Sequence, residues 1–131
     1  ANQGSSTANL CIAGELDAPY SPRTGAYVES WDGTCWTEVN NVNTARTNGG
    51  SAGIQTNALY FGGDPGGQTN TESYDGTSWT EVADIATSRI AAGSGGTGAS
   101  AILAGGNAPP ASNLTEEWDD PTYTIKTVTV S

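Results

Sequence analysis

The 131-residue sequence predicts an all-β fold built from repeated four-stranded antiparallel units, and three observations carry that expectation. First, the phrase Val28-Glu29-Ser30-Trp31-Asp32-Gly33-Thr34-Cys35-Trp36-Thr37-Glu38-Val39 returns, 43 residues on, as Thr71-Glu72-Ser73-Tyr74-Asp75-Gly76-Thr77-Ser78-Trp79-Thr80-Glu81-Val82. Second, short apolar or alternating runs are punctuated by Gly, Asn and Asp, as strands are. Third, no segment carries the apolar spacing of an amphipathic helix.

Composition alone points elsewhere. Leu, Ile, Val and Phe supply 18 residues against 14 acids and 4 bases, a balance typical of disordered chains. The counterweight is 18 Gly, 17 Ala, 4 Trp and 5 Tyr, which suits thin, closely stacked sheets with a few large rings between them.

Each repeat opens on an apolar run closed by small residues: Leu10-Cys11-Ile12-Ala13-Gly14, Leu59-Tyr60-Phe61-Gly62-Gly63 and Ile102-Leu103-Ala104-Gly105-Gly106. These read as buried strands. The Glu-x-aromatic stretch that follows alternates and, in two copies, reaches Asp-Gly, a strong hairpin signal that turns the chain into Trp-Thr-Glu-Val. The Gly-rich stretches 47–58 and 90–101 supply the remaining strand, where glycine permits close backbone approach. Downstream, Asn43-Thr44-Ala45-Arg46 matches Ala86-Thr87-Ser88-Arg89 at the same spacing, and a third copy opens with Thr115-Glu116-Glu117-Trp118-Asp119.

Four short strands in about 43 residues correspond to one propeller blade. Trp31-Asp32 and Trp118-Asp119 superficially fit a WD40 ending, but the second copy has Tyr74-Asp75 there and the chain has no His for the accompanying Gly-His pair. The Gly-Gly doublet, the aromatic-Asp pair and a Trp five residues beyond the aromatic instead resemble kelch repeats. The resemblance spans the whole chain as three approximate blades, 1–46, 47–89 and 90–131. It departs from the pattern at Ala13-Gly14, and in the third blade, where Ile125 and Val128 stand near the place of the Trp. The wording Thr-Glu-x-Tyr-Asp-Gly-Thr-Ser-Trp-Thr-Glu-Val followed by Thr-x-Arg is similar to kelch-type proteins encoded by tailed bacteriophages of aquatic bacteria. That resemblance implies a virion or extracellular location and adhesion to a host surface, with a host-surface glycan or a virion protein as partner. The alternative is a kelch-type protein-interaction scaffold unconnected with a virion.

A radial propeller commonly has four to eight blades, so three do not close a ring. The expectation is completion by oligomerisation or by a longer parent chain. The lack of Met and the ending Thr-Val-Thr-Val-Ser131 point to a processed C-terminal product. The run Tyr123–Val130 exceeds the Trp-Thr-Glu-Val strands in length and reads either as an intermolecular docking strand or as the last strand of its blade.

A net charge of −10, with Lys126 and three arginines as the only bases, argues against nucleic acid and anionic membranes as partners. No apolar run is long enough to span a bilayer as a helix, and the N-terminus carries no basic-then-apolar signal segment, so a soluble or surface protein is expected. Without His, the Ser-His-Asp arrangement and most zinc sites are unavailable, as is the His- and Tyr-held copper of kelch-type oxidases. The expectation is therefore no catalytic residue, no metal and no cofactor. Asp119-Asp120 lacks the alternating oxygen ligands of a calcium loop. Cys11 and Cys35 are expected as buried thiols.

The recurring rings Trp31, Trp36, Tyr74, Trp79 and Trp118 are expected to pack the core. Arg46 and Arg89, with Glu29, Glu72 and Glu116, are expected to form Arg–carboxylate pairs or backbone hydrogen bonds between adjacent strands. The first repeat inserts about six residues between its doublet and its Glu phrase. Tyr20, Arg23 and Tyr27 on that insertion, Glu15–Tyr27, form the candidate binding loop.

Overall fold

The structure is a computed structural model that describes residues 1–19, 23–107, 110–119 and 124–128. It contains three antiparallel four-stranded sheets and, among the described residues, no helix. The first sheet joins β1 (Asn2–Gly4), β2 (Asn9–Glu15), β3 (Thr24–Trp31) and β4 (Trp36–Val39) in chain order. The second joins β5 (Gly50–Ile54), β6 (Asn57–Gly63), β7 (Gln68–Tyr74) and β8 (Trp79–Val82). The third joins β9 (Gly93–Gly96), β10 (Ser100–Ala104), β11 (Thr115–Asp119) and β12 (Thr124–Val128).

Equivalent register pairs align the sheets. Asn9 stands opposite Trp31 as Ala58 stands opposite Tyr74 and Ala101 opposite Trp118. Cys11 opposite Glu29 likewise repeats as Tyr60 opposite Glu72 and Leu103 opposite Glu116. In β12, Ile125 takes the place opposite Trp118 that Trp36 and Trp79 hold in the other sheets. β12 is the outer strand of its sheet and one residue longer than β4 or β8, while Tyr123, Thr129 and Val130 of the expected longer run lie outside the described residues.

The sheets stack face to face, and the burial of each second strand records how many faces are covered. Nearly all of β6 is buried, because Ala58 and Tyr60 face the first sheet while Leu59 and Phe61 face the third. In β10 burial alternates, with Ala101 and Leu103 inside and Ile102 46% exposed. The same alternation follows wherever one sheet face meets solvent. Two cores result: Leu10, Ile12, Val28 and Val42 against Ala58, Tyr60, Tyr74 and Trp79, then Leu59, Phe61 and Ile85 against Ala101, Leu103 and Trp118. Burying each large side chain contributes about 1.5–3 kcal/mol, so the rings and the few aliphatics carry most of the cohesion.

The first strands of the three sheets lie side by side, β5 between β1 and β9. Ser94 Oγ accepts from Ser51 N–H at 2.8 Å and donates to Ser51 O at 3.0 Å, tying β5 to β9. Gly50 makes this approach possible, because a Cβ there would meet Ser94 Oγ at 2.8 Å.

Both Asp-Gly hairpins form, with four-residue loops rather than two-residue turns. Asp32 Oδ1 accepts from Thr34 N–H and Cys35 N–H at 2.8 and 2.9 Å, and Asp75 Oδ1 accepts from Thr77 N–H and Ser78 N–H at 2.8 and 2.7 Å. These bonds hold both carboxyls below the ordinary value of 3.8, the Cys35 and Ser78 amides acting most strongly.

Candidate functional site

The segments that follow β4 and β8 each cross to the next sheet and are held there by a dense set of hydrogen bonds. Val42 N–H donates to Ala26 O at 3.1 Å and Arg46 N–H to Gly25 O at 3.2 Å, pinning residues 40–46 to the end of their own sheet. The second sheet repeats this pinning from Ile85 to Thr69 O and from Arg89 to Gln68 O, at 3.0 and 3.4 Å. Each tail then presents an aliphatic residue and, four residues later, an arginine to its neighbour.

Arg46 Nη1 donates to Glu72 Oε2 at 2.8 Å, and Nη2 donates to Tyr60 O at 3.1 Å. The guanidinium carbon lies 4.5 Å from the Tyr60 ring centroid, and Tyr60 Oη donates back to Arg46 O at 3.2 Å. Burial pushes the Tyr60 phenol above its ordinary value, against the pull of the Arg46 charge. Asn43 N–H donates to Glu72 Oε1 at 2.6 Å, so both carboxylate oxygens are engaged. A buried charge pair is tolerated when further hydrogen bonds replace the lost water, and this one meets that condition except at Arg46 Nε. Asn40 and Asn43 extend the contact: Asn40 O accepts from Trp79 Nε1–H at 2.9 Å, and Asn43 Nδ2 donates to Trp79 O at 2.9 Å.

The next interface repeats this geometry more loosely. Arg89 Nη2 and Glu116 Oε2 are 3.5 Å apart, an ion pair without a hydrogen bond, while Arg89 Nη1 donates to Gly105 O and Leu114 O at 3.0 and 2.6 Å. Thr87 N–H donates to Glu116 Oε1 at 3.1 Å. Leu103 stands where the second sheet has Tyr60, so the tyrosine ring beneath Arg46 has no counterpart at that position.

The Gly62-Gly63 doublet serves the same crossing. Gly63 N–H donates to Arg89 O at 2.8 Å, and a Cβ on Gly62 would meet that oxygen at 2.8 Å. Gly62 has φ of 55°, and its counterpart Ala13 holds φ of 52° despite its methyl group.

The expected Arg–carboxylate pairs therefore exist, with a correction: they join successive sheets rather than adjacent strands of one. Glu29 is left out. It is exposed and makes no ion pair among the described residues. The aromatic expectation also divides. Tyr74, Trp79 and Trp118 are buried, whereas Trp31 is half-buried and Trp36 is 48% exposed, because no sheet covers the outer face of the first. That face opens into a cleft of about 510 Å³ lined by Asn9, Cys11, Glu29, Trp31 and Trp36 together with Asn2, Ser5 and Ser6.

The expected buried thiols are a further correction: Cys11 is half-buried on the cleft wall, and Cys35 is exposed on its hairpin. The candidate binding loop is shorter than expected, because pairing of β2 with β3 continues to Glu15 opposite Thr24. Tyr27 lies on β3 rather than in the loop and is exposed. Arg23 Nη2 pairs with Glu15 at 3.4 Å, both side chains open to solvent, and Arg23 Nε donates to Leu16 O at 3.0 Å. Tyr20 lies outside the described residues, as does Asp120. Among the described residues no group of three His, Cys, Asp or Glu side chains is placed to hold a metal.

Sequence reasoning missed Ser51 and Ser94, whose matching positions in successive repeats were the available signal. Compared with known families and curated proteins, the chain matches no family model and no curated sequence.

Proposed function

We propose that the chain is a non-enzymatic structural or adhesion protein of a phage particle, a surface appendage, decoration or fibre component made of kelch-type propeller blades. The observation that carries this reading is the use made of the repeat's charged residues. Arg46, Glu72, Arg89 and Glu116 are all consumed in holding one sheet to the next, and none is presented to a substrate. A chain that invests its polar chemistry in stacking, and leaves a sheet face open at each end, suits assembly with neighbours. The exposed surface is acidic and rich in Asn, Thr, Ser and Gly, which suits a particle exterior. Its partners are further copies or neighbouring virion proteins, with a host-surface glycan as the adhesion ligand.

Imaging of the native assembly with a label on this chain tests the reading. Regular density on a capsid or tail is expected. Recovery of the chain in a cytoplasmic complex without particles would overturn it in favour of an interaction scaffold. A glycan-array screen then separates adhesion from pure architecture.

A further inference from the structure

The outer face of the first sheet is an unfilled copy of the two interfaces inside the chain. By register, Asn9, Cys11, Glu29, Trp31 and Trp36 hold the positions of Ala58, Tyr60, Glu72, Tyr74 and Trp79. The second set is buried beneath the tail Asn40–Arg46, and its third-sheet equivalents Ala101, Leu103, Glu116 and Trp118 are buried beneath the tail that ends at Arg89. The first set lines the open cleft.

The two internal tails define what such a face receives. Val42-Asn43-Thr44-Ala45-Arg46 and Ile85-Ala86-Thr87-Ser88-Arg89 share the pattern Val/Ile-x-Thr-x-Arg. In each, the aliphatic side chain enters the core, a backbone N–H reaches Oε1 of the glutamate, and the guanidinium approaches Oε2. We propose that the cleft on the first sheet docks the Val/Ile-x-Thr-x-Arg tail of a further blade, with Glu29 receiving its arginine. Trp36 then takes the part of Trp79, donating its indole N–H to a backbone carbonyl of the incoming tail.

A partner of that chemistry is favoured over a second copy of this chain. The second copy's Arg46 and Arg89 are already buried in its own interfaces, and its third arginine, Arg23, sits in a loop paired with Glu15. The charge is complementary: among the described residues Glu29 makes no ion pair, the chain carries a net charge of −10, and the tail brings a cation. The volume of about 510 Å³ lies within the range of about 300–1,000 Å³ that encloses small ligands. The inference rests on the interface repeated within this chain and stands independently of the particle assignment.

The test uses the full chain, labelled with ¹⁵N, and a capped peptide of its own residues 40–47 as the probe. Saturable shifts at millimolar peptide are expected at the amides of Cys11 and Glu29 and at the Trp36 indole. The same peptide carrying Arg46→Ala, or the wild-type peptide added to the Glu29→Gln chain, is expected to bind at least about tenfold more weakly, a loss of roughly 1.4 kcal/mol. Glu29 is exposed, so its variant keeps the fold, which the unperturbed spectrum of the second and third sheets verifies. The proposal is overturned if no saturable shift occurs, or if a scrambled peptide of the same composition shifts the same signals equally. It is also overturned if sedimentation shows copies of the chain covering this cleft themselves.

Discussion

Arg46 leaves the first sheet and meets Glu72 of the second at 2.8 Å, with both side chains removed from solvent. The residue equivalent to Glu72 one repeat earlier, Glu29, occupies the same register position and stands exposed. One phrase of sequence thus has two physical fates, decided by whether a tail crosses it.

Neutralising the two glutamates should therefore have very different costs. Glu72→Gln leaves Arg46 as a buried charge without its counter-ion, a loss of about 3–5 kcal/mol in urea unfolding. Glu29→Gln removes a solvated carboxylate and is expected to change stability by about 0.5 kcal/mol or less. Equal costs at the two positions would show that the crossing tail contributes nothing.

The aromatic positions supply a parallel contrast. Trp79→Ala empties a packed site stacked on Tyr74 at 4.8 Å and removes the bond to Asn40, for about 3–5 kcal/mol. Trp36, tilted against Trp31 at 5.5 Å and open to the cleft, is expected to cost about 1 kcal/mol or less when changed to Ala. Thermal melts of the two variants check this.

Ala13 adopts a left-handed backbone conformation that a methyl group penalises by roughly 1–2 kcal/mol. Ala13→Gly is expected to stabilise the chain by about 1 kcal/mol, discounted for the added freedom of the unfolded state. Gly62→Ala is expected to destabilise it by more than that, since its Cβ would press on Arg89 O. Denaturant midpoints measured side by side decide both.

The hairpin carboxyls set an acid response. Asp32 and Asp75 titrate below 3.8 in the folded chain because backbone amides donate to their ionised forms. Their contribution is therefore complete above that value and is lost as pH falls through the lower folded values. Asp32→Asn and Asp75→Asn should flatten the loss of stability below pH 3.8 and leave its slope near neutrality unchanged, as read from melts across pH.

Much of the architecture is legible in the sequence because strand signals are local. The runs at Leu10, Leu59 and Ile102, both Asp-Gly hairpins and the Trp-Thr-Glu-Val strands all fall where alternation and turn residues place them. The partner of each arginine is not local. Every repeat offers an Arg and a Glu, and sequence spacing does not distinguish pairing within a unit from pairing with the next. The crossing of the tail decides it, and that depends on how the sheets stack. Solvation at the rings is illegible for the same reason: Trp36 and Trp79 have matching neighbours in sequence, yet only Trp79 has a tail lying over it. Of the candidate loop, Tyr27 falls in β3 because its repeat counterpart, Asn70, is already a strand residue of β7, so the inserted residues lie before it, between Glu15 and Thr24.

The most direct test of the sheet-to-sheet lock is a double-mutant cycle on Arg46→Leu and Glu72→Gln, read by equilibrium unfolding in urea. A tail that holds two sheets together through this pair predicts a coupling energy of about 2–3 kcal/mol, the double variant costing far less than the two single losses combined. Single costs that add to within about 0.5 kcal/mol would contradict it.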